Sequence, residues 1–190
     1  MDFDGTITTR DSLLAYFFFR HGKLKTILRL ISIAPFYAMW VLKILSVQKA
    51  KEKVLSRFLK NEPLDRFNMH CEEFVRTRIP KLIRPKALIE IQKLKDNNAE
   101  VVIVSASPEN WLGIWCKQVG ASLICTRLET KNGKLTGRID GKNCRGEEKI
   151  KRIRLQYDLS QYNEVYAYGD TKGDKPMLAL ATFAFYQPFR

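Results

Sequence analysis

Acidic residues are missing altogether from Ser12 to Lys51, a stretch that carries seven basic ones (Arg20, Lys23, Lys25, Arg29, Lys43, Lys49 and Lys51). That asymmetry excludes an ordinary solvated helical face of mixed charge. Paired cysteines are missing too. Cys71, Cys116, Cys125 and Cys144 form no CxxC unit and have no histidine pattern beside them, which argues against a zinc site or a disulfide framework. A reducing cytosol is the simplest setting. The N-terminus opens on acidic residues rather than on a basic and then apolar run, so no secretory leader is expected. Nor is there a long hydrophobic span: the uncharged run from Leu30 to Leu42 is 13 residues, short of the ~20 that cross a bilayer.

What is present is the composition of a folded protein. With 190 residues, 45% of them apolar and 28% charged, the chain is long enough for one core with an inserted subdomain, and global disorder is excluded. The net charge of +13 points to an anionic partner, whether nucleic acid, acidic membrane or phosphorylated small molecule. No RNA- or DNA-reading motif is visible, and much of the basic charge lies beside apolar residues, so nucleic acid is not expected.

From Asp11 to about Pro85 the spacing of apolar residues is helical, as in Val54, Leu55, Phe58 and Leu59. Pro35 should kink or divide the apolar run. That run has two readings: a buried helix pair, or a basic-flanked apolar surface within residues 12–51 that rests on an anionic membrane. Pro80 and Pro85 mark the return to a second pattern. There a helix over 86–98, an apolar strand over 100–104, a helix capped by Ser107 with Pro108 at its first position and closed by Gly120, and a strand over 122–125 follow one another. Lys131-Asn132-Gly133-Lys134 reads as a hairpin turn inside 128–139. A basic helix from Gly146 to about Tyr157 and strands over 164–168 and 183–186 complete the chain. Alternating strands and helices predict an α/β fold, a Rossmann-like parallel sheet with helices on both faces, interrupted by a helical cap.

In such a sheet ligands gather beyond the carboxyl ends of the strands, and four polar clusters fall at predicted strand ends. Asp2 and Asp4 lie in Asp2-Phe3-Asp4-Gly5-Thr6, Ser105 follows an apolar strand, Lys149 lies on the basic helix, and Asp170 and Asp174 lie in GDTKGD. Each alone has an ordinary structural explanation, such as a turn, a strand-end serine or a surface lysine. The four in this order resemble the haloacid dehalogenase superfamily, and the helical insert directly after the first motif makes the chain look like subfamily IB, which includes phosphoserine phosphatases.

The resemblance implies a Mg²⁺-dependent phosphatase. Asp2 would be the nucleophile that forms an aspartyl-phosphate, and Asp4 the general acid and base. Ser105 and Lys149 would hold the transferring oxygens. Asp2, the backbone carbonyl of Asp4, Asp170 and Asp174 would surround the metal. Residues 1–8 and 86–190 would form the core and 9–85 the cap. Phosphoserine phosphatases carry an acidic residue after the first motif, for which only Asp11 is available here. The insert instead resembles those of subfamily IB enzymes of membrane lipid phosphates, such as phosphatidylglycerophosphate phosphatase. A lipid phosphate is therefore the expected substrate, with the protein peripheral at the inner face of the membrane. A soluble metabolite such as phosphoserine, or a non-catalytic membrane- or anion-binding module on the same core, are the alternatives. The family pattern also places an apolar strand before the first motif, where only Met1 stands here, so the first strand is expected to be cut short.

Overall fold

Two residues, Met1 and Asp2, hold the sheet framework together. The computed structural model describes all 190 residues. After a tight loop over Phe3–Ile7 come α1 (Ser12–His21), α2 (Lys23–Ser32), α3 (Ala34–Val41), α4 (Val47–Leu59), α5 (Leu64–Thr77), α6 (Ile79–Leu82) and α7 (Pro85–Asp96). Strands and helices then alternate: β1 (Val102–Pro108), α8 (Glu109–Val119), β2 (Ser122–Lys131), β3 (Lys134–Asp140), α9 (Glu147–Gln156), β4 (Tyr166–Gly169), α10 (Lys175–Leu178) and β5 (Phe183–Tyr186). β1 pairs parallel with β2, and β4 parallel with β5, while β2 and β3 form an antiparallel hairpin. Asn132 and Gly133 turn that hairpin with positive φ at both residues, as a two-residue primed turn requires.

The two sheets meet across the N-terminus. Met1 accepts from the Val104 amide (2.8 Å) and its ammonium donates to the Val102 carbonyl (2.7 Å), while the Asp2 amide donates to the Tyr168 carbonyl (2.9 Å). In place of a first strand, two residues carry this pairing. Burial first, and then the nearby Lys149 charge, push the Met1 amino group down to about 5.

Alternation along β1 separates the two faces. Ile103 joins the large core with Trp111, Leu112 and Trp115 of α8, whereas Val104 packs with Ile124, Met177 of α10 and Ile153 of α9. Helices therefore cover both faces, as expected of an α/β sheet. The large cluster continues into the helical stretch, where Tyr16 stacks on Trp111 (5.3 Å between ring centroids) and Phe17 on Phe58 (4.0 Å). The ends of that stretch are tied together by the Thr9 amide to the Leu82 carbonyl and the Arg84 amide to the Ile7 carbonyl, both 2.8 Å.

Two expectations change. β1 runs on to Pro108 because its pairing with β2 continues to Thr126. Pro108 is then the residue before α8, which has no side-chain cap, and Ser107 is engaged elsewhere. The apolar run Leu30–Leu42 is also not a buried helix pair. It breaks at Ile33, α2 and α3 bend by 54°, Pro35 sits in the first turn of α3, and no residue of α3 is buried. No single helix is long and apolar enough to cross a membrane.

Candidate active site

The loop after Asp2 reverses the chain within a few residues because Gly5 takes φ +83°, a conformation that side chains with a Cβ adopt at a cost. A Cβ at Gly5 would also lie 2.3 Å from Asp170 Oδ2. The turn therefore brings the first motif against the end of β4, and Thr6 Oγ1 donates between Asp2 Oδ2 (3.2 Å) and Asp170 Oδ1 (3.4 Å).

Lys149 lies in the first turn of α9, 2% exposed. Its ammonium reaches Asp2 Oδ1 at 2.6 Å and Asp174 Oδ1 at 2.7 Å. Burial works to lower the Lys149 pKa, but the two carboxylates outweigh it and the net shift is upward. For Asp174 burial is likewise outweighed, by Lys149, and its pKa falls. Asp2 goes the other way: burial, reinforced by the Asp174 charge, raises it to about 7 against the pull of Lys149. Burial and the Asp174 charge also raise Asp170, whose Oδ2 is held by Arg190 at 2.9 Å.

Asp4 faces a different environment. Its Oδ1 accepts from the Ser12 amide at 2.6 Å, and its Oδ2 from the hydroxyls of Ser107 (2.5 Å) and Ser105 (3.4 Å). No cation pairs with it. Ser105 in turn accepts from the Ser107 amide at 3.0 Å, so the end of β1 presents two serines to one carboxylate.

All the residues singled out from the sequence thus converge, although Asp4 and Ser105 form one group and Asp2, Lys149, Asp170 and Asp174 another. Thr6, Ser12 and Lys51 carry no expectation from the sequence as members of this site, and Ser107 is expected only as a helix cap. Lys51 reaches in from α4 to donate to the Ala106 carbonyl (2.6 Å) and Asn143 Oδ1 (3.0 Å). Burial brings its pKa down to about 8, against the charges of Asp4 and Asp11. Only the position of Thr6 within the first motif offered a signal; Lys51 looked like any other lysine of a basic helix.

A cavity of about 600 Å³ opens over both groups. Its lining brings Asp2, Asp4, Lys149 and Asp174 together with an apolar wall of Leu30, Ile33, Phe36, Tyr37 and Trp40. Asp11 also lines it, but its carboxylate caps α1 by accepting from the Leu14 amide at 2.8 Å. The carboxylate oxygens of Asp2, Asp170 and Asp174 come within 4.8 Å of one another. Three hard oxygen donors at that spacing fit a small divalent cation such as Mg²⁺.

The sequence profile of the haloacid dehalogenase-like hydrolases matches residues 1–179. Over 191 aligned residues the chain is 32% identical to Protein CicA of Caulobacter vibrioides (strain NA1000 / CB15N), covering 100% of this chain and 85% of that one. A protein of unknown function from Bordetella pertussis Tohama I superposes with a TM-score of 0.79 at 23% identity, over 95% of this chain and 85% of the other. A phospho-aspartyl intermediate analogue of phosphoserine phosphatase superposes with a TM-score of 0.62 at 21% identity, over 95% and 80% respectively.

Proposed function

Since the chain belongs to the haloacid dehalogenase-like hydrolase family, we propose that it is a Mg²⁺-dependent phosphomonoester hydrolase that works through an aspartyl-phosphate and takes a membrane lipid phosphate as substrate. The observation that carries the reading is the contrast between two carboxylates two residues apart. Asp2 is ion-paired to Lys149, while Asp4 is held only by neutral donors. Two acids in different surroundings can take different roles in one reaction.

In this reading an Asp2 carboxylate oxygen attacks phosphorus and the bond from phosphorus to the ester oxygen breaks. Asp4 supplies the proton that the departing oxygen needs. It then takes a proton from the water that attacks the aspartyl-phosphate, releasing inorganic phosphate and restoring Asp2. Lys149 and the Ser105 hydroxyl hold the non-bridging oxygens, stabilising the charge that builds on them. Asp2, the backbone carbonyl of Asp4, Asp170 and Asp174 would hold Mg²⁺, which when bound offsets the crowded negative charge of carboxylates and phosphate. We assign residues 1–8 and 86–190 to the catalytic core and 9–85 to a cap that selects the substrate.

The apolar wall of the cavity supports a lipid phosphate, because a small polar metabolite would leave those side chains facing water. The engagement of Asp11 Oδ1 as the cap of α1 supports it as well, since it ties to the helix the one acidic residue after the first motif that could meet a substrate ammonium. The acid-free basic stretch over residues 12–51 supports a peripheral position on an anionic membrane. A screen with Mg²⁺, containing a phosphatidylglycerophosphate, phosphoserine and simple phosphomonoesters, tests the proposal against Asp2→Asn. Turnover by the wild type that Asp2→Asn abolishes is expected, with the lipid preferred. No turnover of any phosphomonoester overturns the enzyme reading, and a preference for phosphoserine overturns the lipid one.

A further inference from the structure

Beside the reaction cavity, one surface of this molecule has two unusual halves, each of which shares lining residues with that cavity. The first is α3 with the turn that follows it. α3 is composed almost wholly of apolar residues and buries none of them, and in the following turn Leu42 is 69% and Ile44 67% exposed. Isolated exposed apolar side chains are ordinary, whereas a contiguous patch marks a surface that something covers.

The second half comes from the far end of the sequence. An open groove of about 920 Å³ runs between the start of α4 and α9, and Lys142, Arg145, Lys151 and Arg154 all line it. All four side chains are exposed and none has a carboxylate within ion-pair distance. Of the two acids in the groove, Glu148 is taken by Arg152 at 2.9 Å, which leaves Glu147 alone against four cations. Val47, Asn143 and Arg145 line both this groove and the reaction cavity, whose apolar wall includes Tyr37 and Trp40 of α3. The cationic groove, the mouth of the cavity and the uncovered apolar helix therefore form one continuous face.

We propose that this face is a two-part docking surface for an anionic bilayer. The apolar residues of α3 and its following turn enter the interface, and the groove between α4 and α9 receives the phosphate of an anionic phospholipid that is not the substrate. The charges supply the complementarity: a bilayer surface offers a sheet of phosphates above hydrocarbon, and this face offers unpaired cations beside unburied apolar side chains. A nucleic-acid partner would use the cations but leave the apolar helix uncovered, and an apolar protein partner would do the reverse. The inference rests on the lipid-phosphate reading for its orientation, since the same docking turns the cavity mouth toward the membrane that holds the substrate.

Vesicle flotation of the full chain tests it, with vesicles of phosphatidylcholine alone or with about a third phosphatidylglycerol. The wild type should float with the anionic vesicles and not with the neutral ones. Lys151→Glu/Arg154→Glu should weaken that binding by roughly tenfold or more, since each basic residue at the surface is worth several-fold in affinity. Leu42→Ser/Ile44→Ser should weaken it without changing the salt dependence. Both pairs lie on exposed positions, and an unchanged melting transition verifies that they fold. Equal binding to neutral vesicles, or flotation of either double variant like the wild type, overturns the proposal. Saturable binding of inorganic phosphate that Lys151→Glu/Arg154→Glu removes while flotation persists also overturns it, making the groove a site for free phosphate. Because flotation does not depend on turnover, binding by a protein that hydrolyses no phosphomonoester would sink the catalytic reading and leave the docking surface standing.

Discussion

Lys149 and Asp2 are separated by 147 positions in sequence and share a buried ion pair of 2.6 Å. The same ammonium is bonded to Asp174, so a single cation keeps two buried carboxylates compatible. Lys149→Met leaves them facing each other without it. Breaking a buried pair in this way costs about 3–5 kcal/mol, so the variant should melt well below the wild type in chelator. Mg²⁺ should recover part of the loss, because a divalent cation among the same carboxylates replaces the missing charge. If Lys149 holds the transferring oxygens as proposed, turnover should fall by about 10²–10³ or more with its loss. Melting curves with and without Mg²⁺ give the answer, and identical transitions for variant and wild type in chelator would refute the argument.

Gly5 makes a second prediction about the same cluster. Alanine there meets φ +83° and places its Cβ 2.3 Å from Asp170 Oδ2. The backbone strain alone is about 1 kcal/mol, and moving Asp170 aside breaks its bond from Thr6. Gly5→Ala should therefore lose about 1–3 kcal/mol in urea unfolding and bind Mg²⁺ more weakly by calorimetry. Wild-type Mg²⁺ affinity in a destabilised variant would show that Asp170 is not part of the metal site.

The parts of this arrangement that could be read from sequence are those whose signal is local. Asp2 and Asp4, and likewise Asp170 and Asp174, sit within a few residues of one another beside glycines, and strand-and-helix alternation places those motifs at one edge of a sheet. Ser107 was obscured because Ser-Pro before a helix has the chemistry of a cap. Its partner, Asp4, is 103 positions away, and no local pattern reveals that. The apolar run Leu30–Leu42 was ambiguous for a different reason. Hydrophobic residues read alike whether they fill a core or stand uncovered, and only the packing shows that no residue of α3 is fully buried. Lys51 was invisible because its role depends on how α4 lies against the ends of β1 and β3.

Asp170 is held by Thr6 and Arg190 rather than by Lys149, so its removal should affect the proposed metal site more than Asp2, the proposed nucleophile. Asp170→Asn takes one charge from the trio Asp2, Asp170 and Asp174. The Mg²⁺ concentration for half-maximal turnover should rise by tenfold or more, by roughly 1.4 kcal/mol per tenfold, with activity partly restored at high Mg²⁺. Chelator should abolish turnover by the wild type and excess Mg²⁺ restore it. Full activity in chelator would exclude a divalent cation from the reaction.

A pH effect is also expected at His21, the last residue of α1. Burial, followed by the charges of Arg29, Arg20 and Lys25, pushes the His21 imidazole down from 6.5 to about 4. Arg29 Nη1 lies 3.2 Å from His21 Nε2, and a protonated ring would face that guanidinium. Between pH 4 and 6.5 the unfolded chain thus binds a proton at His21 that the folded chain does not. Stability from this group is fully present above about pH 6.5 and is lost as pH falls toward 4. Acidic groups titrate in the same window, Asp2 with the opposite sign because its folded pKa is raised, so the contribution must be read as a difference. Unfolding free energies from urea curves of the wild type and His21→Gln, followed from pH 7 to 4, should shift relative to one another, the wild type losing up to about one proton's worth of slope more than the variant as the pH falls. Parallel curves across that range would mean that His21 is protonated as readily in the folded protein as in the unfolded one.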